Sequence, residues 1–64
     1  MITINGEQFD LKEIKLSDYL NEKSFKPERI AIELNGEILP KSKYNETILK
    51  DGDEAEVVSF VGGG

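Results

Sequence analysis

Residues 30–40 read IAIELNGEILP, two strand-like runs joined by Asn35 and Gly36. Its first half alternates apolar residues with small or acidic ones, as in a half-buried strand. Asn35 and Gly36 follow, and Asn-Gly between two strand-like runs is the strongest short-range sign of a β-hairpin, because a type I′ turn requires positive φ at both central residues. Pro40 has no N–H group to donate and ends the second run. We therefore predict an antiparallel hairpin here.

The same turn chemistry occurs near the N-terminus, where residues 2–11 read ITINGEQFDL. Alternation with period two is broken by Asn5 and Gly6, which predicts a second hairpin with the same type of turn. Because successive side chains of a strand point to opposite faces, one face of this hairpin is expected to be buried. That face would consist of Ile2, Ile4, Phe9 and Leu11.

Residues 16–23, LSDYLNEK, have the spacing of a short helix. Leu16, Tyr19 and Leu20 fall on one helical face, and Ser17 is the predicted N-cap. Two turns of helix do not persist alone in water, so this helix must pack on a sheet. Residues 41–49 hold Tyr44, Ile48 and Leu49 among polar residues, too short and irregular for a long helix, and we predict one 3₁₀ or helical turn there.

The last element follows a turn at residues 51–53, DGD, and covers residues 54–60, EAEVVSF. If Ala55 and Val57 face the core, Val58 and Phe60 must face the opposite way. The turn carboxylates together with Glu54 do not supply the six or more oxygens of a calcium loop, so a solvated turn is the favoured interpretation.

These elements come in the order strand, strand, helix, strand, short connection, strand, which indicates an α+β domain. The arrangement that fits is the β-grasp (ubiquitin-like) fold, a mixed sheet of four to five strands with one short helix packed across one face. Its first and last strands lie parallel at the centre of the sheet. We assign residues 1–60 to this single domain and residues 61–64 to a flexible C-terminal glycine tail.

Composition excludes several classes of function. The chain has 64 residues, no Cys, no His, and 13 acidic against 8 basic side chains, for a net charge of −5. It therefore lacks a thiolate nucleophile and the usual general base, and it has the wrong charge for binding nucleic acid. Neither a signal peptide nor a membrane span is recognisable. We expect a cytoplasmic protein, monomeric alone, without a metal or cofactor, that is not itself an enzyme.

The tail, Val61 followed by Gly62, Gly63 and Gly64, is the one candidate site. A frayed end or the remnant of a cloning linker is the alternative interpretation. An extended tail reaches at most about 14 Å and, having no Cβ after Val61, can thread a narrow channel. Its carboxylate is a poor electrophile, so another enzyme must activate it, most simply as a mixed anhydride with AMP. The pattern suggests a substrate that carries a group.

Three motifs occur at fixed distances from one another: residues 32–44, IELNGEILPKSKY; residues 49–54, LKDGDE; and residues 60–64, FVGGG. On these motifs the chain resembles the ThiS-type sulfur carriers of thiamine biosynthesis, small β-grasp proteins related to ubiquitin. The resemblance extends over nearly the whole chain. A terminal Gly-Gly alone would be a weak signal.

The resemblance implies a route for sulfur. An E1-like adenylyltransferase of the ThiF type would use ATP to adenylate Gly64, and a cysteine desulfurase or persulfide would supply the sulfur of a thiocarboxylate. A thiazole synthase of the ThiG type would then take that sulfur. Gly62 and Gly63 would form the tail, and the partner-binding residues would be Val58, Phe60 and Val61.

Three alternatives stay open from the residues alone. The small subunit of molybdopterin synthase also ends in Gly-Gly, although its chains are usually longer. A ubiquitin-like protein modifier uses the same adenylated tail. From another class, the chain would be a non-catalytic interaction module with an incidental glycine tail.

Overall fold

The computed structural model describes residues 1–60, which form seven strands, one α-helix and two 3₁₀ helices. The strands are β1 (Ile2–Ile4), β2 (Glu7–Phe9), β3 (Glu13–Lys15), β4 (Ile30–Leu34), β5 (Glu37–Leu39), β6 (Ile48–Lys50) and β7 (Glu54–Ser59). The helix α1 is Leu16–Glu22, and the 3₁₀ helices are Pro27–Arg29 and Lys41–Glu46. No helix among these sixty residues is long and apolar enough to cross a bilayer.

Five of the strands form one mixed sheet in the order β2-β1-β7-β4-β5. The first and last strands of the chain, β1 and β7, are parallel neighbours, and the other pairings in this sheet are antiparallel. The predicted α+β architecture is confirmed, with β7 at the centre of the sheet and α1 contributing to the core. This is the β-grasp arrangement.

Both Asn-Gly turns have the predicted geometry. Asn5 and Asn35 each have φ of 53°, and Gly6 and Gly36 have φ of 81° and 85°, so both turns are left-handed at their two central positions. The predicted buried face of the first hairpin is only partly right. Leu11 is 52% exposed, because β2 ends at Phe9 and the chain has already left the sheet.

The core lies between the five-stranded sheet, α1 and the segment after β5. On β1, β4 and β7, the core residues are the alternate side chains that point toward the helix. On α1, they are the residues at helical spacing. One tyrosine and one leucine from the C-terminal half complete the core. The core residues are Ile2, Ile4, Leu16, Tyr19, Leu20, Ile30, Ile32, Tyr44, Leu49, Ala55 and Val57.

The predicted helix N-cap is wrong. The helix α1 begins at Leu16 with Lys15 in the N-cap position, and no side chain caps it. Ser17 lies inside the first turn. The N–H of Leu16 donates to the carbonyl of Thr47 at 3.1 Å, which continues the pairing of β3 with β6 up to the first residue of the helix. The start of α1 is therefore set by this strand pairing, which the local sequence does not show.

A second, two-stranded sheet was not predicted. β3 pairs antiparallel with β6, with Ile14 opposite Leu49. The single turn predicted across residues 41–49 is confirmed as the 3₁₀ helix Lys41–Glu46, but Ile48 and Leu49 belong to β6. Each strand has three residues, too few for alternation to be recognisable, and the two strands are far apart in sequence.

Two side chains extend the hydrogen bonding of the sheet where a neighbouring strand stops. Beyond the end of β1, Asn5 accepts from the N–H of Val57 at 2.7 Å and donates to the carbonyl of Val57 at 3.3 Å. Beyond the end of β5, the hydroxyl of Tyr44 donates to the carbonyl of Ile30 at 3.5 Å. Burial raises the pKa of Tyr44. Amide and hydroxyl groups thus replace a strand that has ended.

Candidate functional site

The candidate site is the face of the sheet that points away from the core, together with the end of β7. Along β7, Ala55 and Val57 are buried, whereas Val58 is 58% exposed. Phe60, directly after β7, is 55% exposed. The predicted outward orientation of Val58 and Phe60 is confirmed, and it follows from the alternation of a strand buried on one side only.

Ile38 extends this exposed apolar surface across the sheet. On β5 it lies opposite Glu33 and is 68% exposed, and on β4 Ala31 lies opposite Val58. We call Ile38, Val58 and Phe60 the apolar patch. The sequence did not reveal Ile38, because two apolar residues in succession at positions 38 and 39 leave the direction of each side chain undetermined until the register with β4 is known.

Glu33, Glu54 and Glu56 lie on the same face, with Glu33 between Ile38 and Glu56, and we call the three glutamates the acidic row. Glu33 lies directly opposite Glu56. Like charges in opposed positions repel each other. Within residues 1–60 the ion pairs lie elsewhere on the surface. An uncompensated acidic row beside an apolar patch favours a partner surface with basic and apolar groups, since complementary potentials steer association.

The acidic row also lines an open depression between the two Asn-Gly turns, where Gly6 and Gly36 form opposite rims. Small-molecule sites are concave and mostly apolar, with a few placed polar groups. A depression lined by three glutamates has a different character, and it suits contact with a cationic protein surface better than a small apolar ligand.

The end of β7 is anchored to the segment that follows α1. The N–H of Phe60 donates to the carbonyl of Arg29 at 2.8 Å, and Lys26 and Phe25 line the same shallow depression as Phe60. Phe60, the last described residue, is therefore held in place by a backbone hydrogen bond. The predicted tail residues lie outside the described residues: Val61, Gly62, Gly63 and Gly64.

The carboxylates of the 51–53 turn have structural partners. The Asp51 carboxylate contacts the amino group of Met1. Asp53 accepts from the N–H of Lys50 at 2.9 Å and from the side-chain amide of Asn35 at 3.0 Å. Among residues 1–60, no group of three His, Cys, Asp or Glu side chains is placed to hold a metal ion. These aspartates shape the turn that precedes β7.

Comparison with known proteins gives consistent findings. The model of the ThiS family matches residues 2–64. The sulfur carrier protein ThiS of Bacillus subtilis is 35% identical over 66 residues and covers the whole of both chains. A thiazole synthase of Paramagnetospirillum magneticum is 38% identical over 64 residues, which are 98% of this chain but 20% of that protein. The crystal structure of the thiamine biosynthesis protein ThiS from Geobacter metallireducens superposes with a TM-score of 0.73, at 34% identity, over 98% of this chain and 97% of that chain.

Proposed function

This chain belongs to the ThiS family and is a ThiS-type sulfur carrier, and from that premise we propose that Gly64 is its reactive end. The carboxylate of Gly64 is adenylated and then converted to a thiocarboxylate, which donates sulfur for thiazole formation in thiamine biosynthesis. The observation that supports this assignment is that Phe60, four residues before Gly64, is exposed together with Val58 and is held by a backbone hydrogen bond to Arg29.

The chemistry needs groups that other proteins provide. The Gly64 carboxylate attacks the α-phosphorus of ATP, and pyrophosphate leaves. A persulfide sulfur then attacks the acyl adenylate, AMP leaves, and cleavage of the resulting S–S bond by a thiol yields the thiocarboxylate. The chain itself contains no Cys and no His, so the nucleophiles and the ATP site belong to its partners. Its own contribution is a folded domain and one carboxylate.

Three partners follow from this scheme. An E1-like adenylyltransferase of the ThiF type consumes ATP and binds the apolar patch and the acidic row, with Val61 as part of the same contact. A cysteine desulfurase or persulfide supplies sulfur. A thiazole synthase of the ThiG type accepts it, and the support for this last partner is that a thiazole synthase of Paramagnetospirillum magneticum includes a segment similar to this chain.

Mass spectrometry of the protein purified from its native host tests the proposal. A thiocarboxylate at Gly64 raises the mass by about 16 Da, the difference between sulfur and oxygen. Incubation with a ThiF-type enzyme and ATP should give the acyl adenylate. Deletion of Gly64, or Gly63→Leu, should abolish adenylation while the circular dichroism spectrum stays native. Lys41→Ala, an exposed change on the second 3₁₀ helix, serves as the control that remains adenylated.

The same measurements separate the alternatives. Covalent conjugates of this chain with other proteins would identify a protein modifier. An unmodified carboxylate in the native host, combined with no adenylation by the ThiF-type enzyme, would leave only an interaction module. Adenylation that survives deletion of Gly64 would refute Gly64 as the reactive residue.

A further inference from the structure

The central strand β7 loses its neighbour on one side before it ends. β1 pairs with β7 only through Thr3 opposite Glu54 and Ile4 opposite Ala55. The side chain of Asn5 then takes both backbone groups of Val57. Because backbone groups alternate between the two sides of a strand, Ser59 is the next residue whose N–H and C=O point toward this side.

The hydrogen bonds between β7 and β4 show which backbone groups of β7 point toward β4 and which point away from it. The N–H of Phe60 donates to Arg29, and the register places Ala31 opposite Val58 and Ile30 opposite Ser59. Val58 and Phe60 therefore use their backbone groups toward β4, and Ser59 directs its own groups away from β4. Ser59 is exposed, and no backbone or side-chain group within residues 1–60 hydrogen-bonds to it on that side.

Open strand edges are usually blocked, because they are templates for the addition of another strand. At two other places inside this sheet where a strand loses its neighbour, a side chain takes the freed backbone groups, Asn5 beside β7 and Tyr44 beside β4. At Ser59 none of the usual blocking features is present: the residue is small, and it is neither Pro nor Lys. The opening also lies at the last residue of β7, immediately before the segment that leads to Gly64.

We propose that a ThiF-type adenylyltransferase adds an extended segment of its own chain to this edge, pairing main chain to main chain with Ser59. The inference rests on the proposed function and specifies how the partner holds the carrier. Strand addition takes its affinity from backbone hydrogen bonds and leaves the side chains on the two faces free. The apolar patch then stays available for contact across the sheet face, while pairing at Ser59 holds the end of β7 against the partner.

A backbone substitution tests the pairing directly, and 64 residues are within reach of chemical synthesis. Replacement of the Ser59 amide by an ester removes its N–H and keeps the side chain. The matched control is the same replacement at Gln8. There the pairing of Glu7 with Ile4 and of Phe9 with Ile2 directs the Gln8 N–H to the outer edge of the sheet, beyond β2. Each ester also makes one carbonyl group of the sheet a weaker hydrogen-bond acceptor, the carbonyl of the preceding residue.

The Ser59 ester should raise the Kd for the adenylyltransferase about two- to tenfold, the value of one net backbone hydrogen bond, while the Gln8 ester binds as the unaltered chain does. In amide hydrogen exchange, Ser59 should exchange fast in the free chain and slowly in the complex. Ser59→Pro should bind as weakly as the Ser59 ester, whereas Ser59→Ala, which retains the N–H, should bind normally.

The outcomes separate this inference from the function on which it rests. If the Ser59 ester is bound and adenylated like the control, and Ser59 gains no exchange protection, strand addition is refuted while Gly64 remains the reactive residue. Protection of Ser59 that grows with the concentration of this chain alone would mean that a second copy occupies the edge, and would also overturn the proposal. If the ThiF-type enzyme neither binds nor adenylates the unaltered chain, both strand addition and the role of Gly64 are refuted.

Discussion

Val57 and Val58 are neighbours on the same strand and have the same side chain, but one is 7% exposed and the other 58%. Val57 faces the core with Ala55, and Val58 faces outward in the apolar patch. The two faces of β7 thus have different physical roles: one excludes water to stabilise the domain, and the other keeps apolar area accessible. Variants on the two faces should therefore separate stability from binding.

The largest effect is expected when a core isoleucine is shortened. Ile32 is fully buried, and Ile32→Ala should lower the free energy of unfolding by about 2–5 kcal/mol. Ile38 is the matched control, because it lies on the neighbouring strand β5 but on the outer face of the sheet. Ile38→Ala should change the free energy of unfolding by about 0.5 kcal/mol or less. Urea denaturation measures both values. Equal losses would contradict the assignment of Ile32 to the core and of Ile38 to the exposed face.

A smaller effect is expected from Tyr44, which joins the core to the edge of β4. Tyr44→Phe leaves the carbonyl of Ile30 without its hydroxyl donor, at a cost of about 1 kcal/mol at neutral pH. Thermal unfolding at neutral pH measures this loss. A change of zero would mean that the hydroxyl does not contribute to closing the edge of β4.

The same tyrosine predicts a pH dependence. Burial raises the pKa of Tyr44, and burial followed by the charges of Glu7 and Glu22 raises the pKa of Tyr19. The two hydroxyl groups therefore ionise at a lower pH in the unfolded chain than in the folded chain. The free energy of unfolding keeps its full tyrosine contribution below the ordinary tyrosine pKa of about 10, and it falls as the pH rises above that value. Tyr44→Phe should make this alkaline fall shallower and leave the part due to Tyr19. An unchanged slope would contradict the burial of the Tyr44 hydroxyl.

The smallest effect on stability, combined with a clear effect on binding, is expected at Phe60. Phe60→Asp should cost the fold little, because the ring is more than half exposed, but should weaken binding of the ThiF-type enzyme about thirtyfold, as for a truncated aromatic anchor. Leu11→Asp is the control, since Leu11 is similarly exposed at 52% but lies off the sheet face. A collapse of stability in Phe60→Asp would instead assign Phe60 to the core.

Local sequence patterns predicted the elements that are close in sequence. Asn5 and Asn35, each followed by glycine, identified both hairpins, because few other dipeptides accept two positive φ angles. The alternation of residues 54–60 was sufficient to place Val58 and Phe60 outside. What the patterns missed depends on distant partners: the pairing of β3 with β6, and the start of α1 at Leu16, whose N–H donates to the carbonyl of Thr47.

The order of residues alone predicts the two turns and the central amphipathic strand. The tertiary structure shows that Ile38 is exposed like Val58 and Phe60, that Glu33 faces Glu56, and that β1 stops short of Ser59. The physical reason is that side-chain direction within a strand follows from local alternation, whereas register and strand length depend on which distant residues supply the hydrogen bonds.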